Sequence, residues 1–144
     1  MTTQTTAATV ADRSAASDDP LPLVLDSLAA FQRGDMDAVV AHWGPSIRWH
    51  LSGRGRFAGT YEGPAAVLAY FGQAMEISGG TLRPTLLSSA SSDDGVALVL
   101  GTTAERGDRR LDVREVLLFH VRDGAVAEVY QIAFDQYTWD EFWG

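Results

Sequence analysis

Residues 47–71 read IRWHLSGRGRFAGTYEGPAAVLAYF, and this stretch decides the fold class. Gly53, Gly55 and Ala58 match the G-x-G-x-x-A spacing of a dinucleotide-binding loop. Such a loop has to lead from a strand directly into a helix inside a β-α-β unit. Here the glycines lead into TYEGP, which predicts a second turn. The spacing therefore indicates a flexible loop beside a pocket mouth, and we expect no cofactor there.

Helices are predicted on both sides of this stretch. The apolar spacing from Leu23 predicts a first helix that ends at Arg33-Gly34-Asp35, and Asp35 can cap a second helix. We expect Gly44-Pro45 to end the second helix before a short strand over 46–51. Pro64 suits the first turn of a third helix, where its missing N–H costs nothing.

Strands are predicted for the rest of the chain. The runs 81–90, 95–106, 110–122 and 125–134 are rich in β-formers, and turn sequences such as SSDDG and RDG separate them. Three N-terminal helices followed by an antiparallel meander indicate an α+β domain over residues 20–144.

Composition excludes several classes of function. The 144 residues contain no cysteine and carry a net charge of −8, which argues against thiolate chemistry, nucleic acid and anionic membranes. The histidines at 42, 50 and 120 lack metal-ligand spacing, so no metal site is expected. Residues 1–19 form a Thr/Ala/Ser-rich segment without a signal-peptide pattern, which predicts a disordered tail on a cytoplasmic protein.

The order of these pieces resembles the SnoaL-like branch of the nuclear transport factor 2-like superfamily. The resemblance is carried by the Trp-His strand, the Gly-Thr-Tyr-x-Gly turn into the third helix, and the terminal FDQYTWDEFW, and it spans residues 23–143. It implies a strongly curved antiparallel sheet wrapped around helices into a cone with an apolar pocket. Members of this superfamily include ketosteroid isomerases, polyketide cyclases and epoxide hydrolases, so the fold alone does not define the reaction.

The resemblance implies a small cofactor-independent enzyme of cyclase or isomerase type. It would act on an apolar, carbonyl-containing small molecule, as in secondary metabolism. The alternative is a protein of the same fold that binds small molecules without chemistry. Ser27 and Leu117 stand where ketosteroid isomerases carry their oxyanion-stabilising tyrosine and aspartic acid, so steroid isomerisation is not expected.

His50 stands where ketosteroid isomerases carry their catalytic aspartate. Strand alternation puts Arg48 and His50 on one face and Ile47, Trp49 and Leu51 on the other, and we expect the polar pair to look into the cavity. A histidine can transfer a proton near neutral pH, so His50 is the predicted catalytic residue, with Arg48 beside it. The sequence leaves two alternatives for His50, a side chain that lines the pocket without chemistry and a purely structural histidine.

Glu115 is the only charged residue on its face of the strand 110–122. An inward carboxylate needs a partner, and Arg48, His50 or a bound substrate is the expected one. Gln131 is expected to point inward and orient a substrate together with Tyr61. The remaining predicted substrate-binding residues supply apolar bulk to the pocket: Trp49, Phe57, Tyr70, Phe71, Met75 and Leu117.

The outer sheet face is predicted to be an interface. An antiparallel sheet with one solvated face should alternate with polar residues, but the outward residues of the last two strands are largely apolar. We therefore expect a homodimer that buries a patch comprising Val116, Leu118, Tyr130, Ile132 and Phe134. The C-terminal aromatic segment, residues 136–144, is expected to dock on its own domain or a partner subunit, or to form a lid over the cone.

Overall fold

The computed structural model describes residues 19–144, and the predicted tail lies outside the described residues except for Asp19. The helices are α1 (Leu21–Gln32), α2 (Met36–Ala41), α3 (Pro64–Ile77) and α4 (Gln136–Trp143). The strands are β1 (Trp43–Leu51), β2 (Gly59–Glu62), β3 (Arg83–Ser91), β4 (Gly95–Arg106), β5 (Arg109–Arg122) and β6 (Ala125–Ala133). The α+β prediction is confirmed, with α1 to α3 preceding the long meander.

One six-stranded sheet has the order β2-β1-β6-β5-β4-β3. Its neighbours are antiparallel except β1 and β6, which pair in parallel with Trp49 opposite Val129. The expectation of an entirely antiparallel sheet is corrected at this pair. Register shifts interrupt the β1–β6, β3–β4 and β5–β6 ladders, and such irregularities bend a sheet.

Two local predictions around β1 are wrong. Gly44-Pro45 does not end α2, because the helix ends at Ala41 and the Gly-Pro pair lies inside β1. Proline is tolerated there because the β1–β6 pairing is irregular between Trp43 and Arg48. The segment TYEGP is not only a turn, since Gly59–Glu62 forms β2 at the sheet edge, paired antiparallel with β1.

The side chain of Asp35 caps α2 as predicted, accepting a hydrogen bond from Ala38 N at 3.1 Å. Asp135 caps α4 in the same way, through Thr138 N at 3.2 Å. The aromatic segment therefore forms a helix, which docks on its own domain. Its Trp139, Phe142 and Trp143 are buried, whereas Tyr137 is exposed.

The glycine-rich loop between β1 and β2 holds α4 in place. Arg54 N donates to Asp140 Oδ2 at 3.0 Å, and Ser52 lies within hydrogen-bond distance of Gln136. Gly53 has a φ of +99°, and a Cβ there would collide with Gln136 Nε2 and Asp140 Oδ1. Glycine is therefore favoured here by its positive φ, and the close approach of two α4 side chains adds to this preference.

Replacing Gly53 with alanine should lower the free energy of unfolding by about 1–3 kcal/mol, because the new Cβ meets α4 in a backbone conformation that alanine adopts poorly. Urea unfolding measures this. Gly72→Ala is the control, since Gly72 lies on α3 with no other atom within 4 Å of its Cβ position, and it should gain about 0.5–1 kcal/mol. A Gly53→Ala protein as stable as the wild type would contradict this account of the loop.

Candidate functional site

A cavity lies between the inner face of the sheet and the helices. Every described helix contributes to its wall, and so do strands β1, β3, β4, β5 and β6. The space not filled by atoms is about 750 Å³, which includes the opening to solvent and so sets an upper bound on the ligand. Aromatic residues dominate the wall: Phe31, Trp43, Trp49, Tyr70, Phe71, Phe119, Trp139 and Trp143.

Glu115 is the one carboxylate among the described residues that line the cavity, and it is 3% exposed. Thr102 Oγ1 donates to its Oε2 at 2.6 Å, and Gln131 Nε2 donates to its Oε1 at 2.8 Å. The expected partners Arg48 and His50 are therefore replaced by two neutral donors. Burial raises the pKa of Glu115, and the two hydrogen bonds oppose this rise because they stabilise the ionised form.

The amide of Gln131 is held in one orientation. Its Oε1 accepts hydrogen bonds from Trp49 Nε1 at 2.9 Å and from the Tyr70 hydroxyl at 3.2 Å. An indole N–H can only donate, so the amide oxygen must face Trp49 and the amide nitrogen must face Glu115. Burial, followed by the charge of Glu115, raises the pKa of Tyr70 well above its usual value, so Tyr70 keeps its proton and remains a donor.

Thr102 was not predicted from the sequence. A usable signal existed, because Val96, Leu98, Leu100 and Ala104 share a face of β4 with it and are buried and apolar. A single hydroxyl on such a face has to find a partner, and here the partner is Glu115 on β5. Trp139 and Trp143 were not predicted as wall residues; the sequence predicted for their segment a docking contact or a lid over the cone.

Arg48 and His50 lie on the opposite face of β1 from the cavity, contrary to the strand-face prediction. The inward face carries Ile47, Trp49 and Leu51, all buried. His50 instead contacts Glu128 Oε2 through Nε2 at 2.6 Å and Thr60 Oγ1 through Nδ1 at 2.8 Å, and its ring stacks on Tyr130 at 4.4 Å.

Arg48 is half exposed, with its guanidinium 3.6 Å from Glu128. The pKa of Glu128 is lowered, first by its hydrogen bond to His50 and less by the charges of His50 and Arg48. Neither Arg48, His50 nor Glu128 is among the residues that line the cavity.

The other predicted site residues divide into two groups. Trp49, Tyr70, Phe71, Leu117 and Gln131 line the cavity together with Glu115. Phe57, Tyr61 and Met75 do not, and these three placements are corrected. Phe57 packs behind the wall, 5.0 Å from the Tyr70 ring and 5.2 Å from the Trp143 ring. The Tyr61 hydroxyl donates to the Phe57 carbonyl at 2.8 Å, and Met75 is 37% exposed.

None of the helices described for residues 19–144 is long and apolar enough to span a membrane. Among the same residues, no group of three or more His, Asp or Glu side chains is arranged to hold a metal ion.

Comparisons with known proteins agree with this fold. An uncharacterised protein of Mycobacterium tuberculosis (strain H37Rv) is 31% identical over 127 residues, which cover 88% of this chain and 97% of that protein. The structure of Bal32a, from a soil-derived mobile gene cassette, is 38% identical with a TM-score of 0.83 and covers 86% of this chain and 95% of its own.

A protein of unknown function with a cystatin-like fold from Xanthomonas campestris is 30% identical, with a TM-score of 0.83, and covers 88% of this chain and 98% of its own. These likenesses confirm the cone-shaped α+β fold. The family model of the SnoaL-like domain matches residues 24–129. The chain therefore belongs to the SnoaL-like domain family.

Proposed function

We propose that the chain is a cofactor-independent enzyme that transfers a proton on an apolar, carbonyl-containing small molecule, and that Glu115 is the catalytic residue. The observation that carries this proposal is a single buried carboxylate in the wall of an aromatic cavity. Burial raises the pKa of Glu115, which makes its ionised form a stronger base than an exposed glutamate. In the proposed step, Glu115 takes a proton from a carbon next to the carbonyl, the C–H electron pair forms an enolate, and the proton then returns to another position.

A second candidate function is binding without chemistry. Both oxygens of Glu115 already accept a hydrogen bond, from Thr102 and Gln131. In a binding protein, this network would fix the shape and polarity of the wall without taking part in any reaction. The two candidates differ in one property, because a binding protein would hold a ketone in the cavity without labilising its protons.

Deuterium exchange separates the two candidates. The probe is 2-acetylnaphthalene in D₂O, and the signal is deuterium entering its methyl group, followed by mass spectrometry. We expect the wild-type protein to exchange these protons faster than buffer alone. The His50→Ala variant should exchange at the wild-type rate, because His50 lies outside the cavity wall. Binding of the ketone without accelerated exchange would favour the second candidate and overturn the first.

We also propose that the protein is a homodimer through the outer sheet face. Leu118 is 42% exposed, Tyr130 44%, Ile132 38% and Phe134 61%, so four large apolar residues of β5, β6 and the segment directly after β6 are open to solvent in one protomer. Leu118 lies opposite Tyr130 and Val116 opposite Ile132, which makes the apolar surface continuous across the two strands. A continuous apolar patch of this kind marks an association surface.

A further inference from the structure

A hydroxyl, an imidazole and a carboxylate form a chain of hydrogen bonds on the outer face of the sheet. His50 on β1 contacts Glu128 of β6 through Nε2 at 2.6 Å and Thr60 of β2 through Nδ1 at 2.8 Å. An ionised carboxylate can only accept, so Nε2 carries the proton of the neutral imidazole and Nδ1 is an acceptor. The Thr60 hydroxyl therefore donates to Nδ1. This order of the three groups is the one that activates an oxygen nucleophile.

The imidazole of His50 is fixed in this arrangement. Its ring stacks on Tyr130 with the centroids 4.4 Å apart, and the side chain is only 17% exposed. The pKa of Glu128 is lowered, first by its hydrogen bond to His50, so the carboxylate stays ionised at neutral pH. Arg48 lies 3.6 Å from the same carboxylate oxygen and favours this charged form further. Glu128 therefore holds His50 in the tautomer that can take a proton from Thr60.

The Thr60 hydroxyl is accessible, because Thr60 is an exposed residue of the edge strand β2. The backbone N–H of Gly63 donates to the Ile47 carbonyl at 2.8 Å, and hydrogen-bonded pairs alternate along an antiparallel ladder. Thr60 and His50 are consequently a non-hydrogen-bonded pair, in which the two side chains lie close. The Thr60 N–H then points away from β1, at the edge of the sheet. There it can donate to an oxyanion that forms beside the hydroxyl.

We propose that Thr60, His50 and Glu128 form a second catalytic centre, which hydrolyses esters by acyl transfer to Thr60. Thr60 Oγ1 attacks the ester carbonyl carbon while His50 Nδ1 takes the hydroxyl proton, and the π electrons of the carbonyl move onto its oxygen. When the tetrahedral intermediate collapses, the bond to the leaving oxygen breaks and His50 gives the proton to that oxygen. Water attacks the acyl-threonine by the same route and releases the acid. Glu128 is a positioning residue in both steps.

The proposed centre takes esters of small acyl groups, because the β-methyl group of Thr60 crowds its hydroxyl. None of its three residues lines the cavity, so the reaction is separate from the one proposed for Glu115.

The probe p-nitrophenyl acetate tests the proposal, and the sequence contains no lysine or cysteine that would compete for the acetyl group. The wild-type protein should release nitrophenolate faster than buffer alone, and mass spectrometry of acid-quenched protein should find an acetyl group on Thr60. The His50→Gln variant should acetylate Thr60 roughly 10²–10⁴-fold more slowly, the range expected for loss of a general base. Thr60→Ser keeps the hydroxyl and should still be acetylated at this position.

Thr60→Val keeps the branched side chain but removes the nucleophile, so it should lose the enhanced release of nitrophenolate. Thr85→Val is its matched control, since Thr85 is an exposed threonine of β3 at the opposite edge of the sheet, and it should react like the wild type. Acetyl groups found only on other residues, undiminished acetylation of Thr60 in His50→Gln, or release no faster than in buffer would overturn the proposal. Thr60→Val should leave the deuterium exchange of 2-acetylnaphthalene unchanged, so either centre can fail without the other.

Discussion

The Glu115→Gln variant should exchange the methyl protons of 2-acetylnaphthalene roughly 10²–10⁴-fold more slowly than the wild type, the range expected when a general base is removed. Glutamine keeps the size of the side chain and a carbonyl oxygen but cannot accept the proton. The affinity for the ketone should change little, because the aromatic wall of the cavity remains. Exchange at the wild-type rate in a folded Glu115→Gln protein would remove Glu115 from the reaction.

The pH dependence of the same rate gives an independent readout. The base acts as a carboxylate, so the rate should be low in acid, rise with pH and level off once Glu115 is ionised. Because burial raises the pKa of Glu115, the midpoint should lie above the ordinary range of a glutamate. Thr102→Val removes a hydrogen bond that stabilises the carboxylate, and it should therefore shift the midpoint to higher pH. A midpoint that does not move would show that another group titrates.

The Leu118→Asp variant should convert the proposed homodimer to a monomer. In a two-fold symmetric interface each substitution occurs twice, so two carboxylates would be buried without partners. We expect the association constant to fall roughly 10³-fold or more, given the cost of an uncompensated buried charge. Light scattering at micromolar concentration would then report a mass near 15.5 kDa instead of twice that value.

Tyr137→Asp is the control for this prediction, since Tyr137 is 91% exposed on α4 and lies outside the apolar patch. It should leave the mass at the dimer value. A wild-type protein that already scatters as a monomer would refute the interface, and a dimeric Leu118→Asp protein would place the contact elsewhere.

Sequence alternation located the inner face of β5 and β6 correctly but failed on β1. On β5, Glu115 shares a face with four apolar residues, so the apolar majority identified the buried side. On β1 the face with Arg48 and His50 was expected to look into the cavity because a resemblance placed a catalytic residue there. Alternation shows which residues share a face of a strand, but it does not show which face is buried. On β1 the buried face is the one that carries the apolar residues Ile47, Trp49 and Leu51.

The site was predictable only in part because its contacts are distant in sequence. Glu115 and Gln131 could be assigned to the inner face, but their hydrogen bond depends on the β5–β6 register, which the hairpin turn and a bulge set together. The hydrogen bond from Trp49 Nε1 to Gln131 Oε1 spans 82 positions. The sequence contains a local signal for the helix at residues 136–143, because Asp135 is a favourable N-cap residue. This helix was not predicted, because the segment was interpreted by its density of aromatic residues instead.

The parallel pairing of β1 with β6 has a consequence for biosynthesis. A ribosome delivers β1 long before β6, and until then β1 can pair only with the four residues of β2. The edge of β1 that pairs with β6 therefore stays unpaired on the nascent chain until β6 has been translated. We expect the sheet to be completed only after β6 has left the ribosome, with a rate limited by closure of this long loop. The yield of the domain in cells should therefore depend on chaperones that shield apolar segments of unfinished chains.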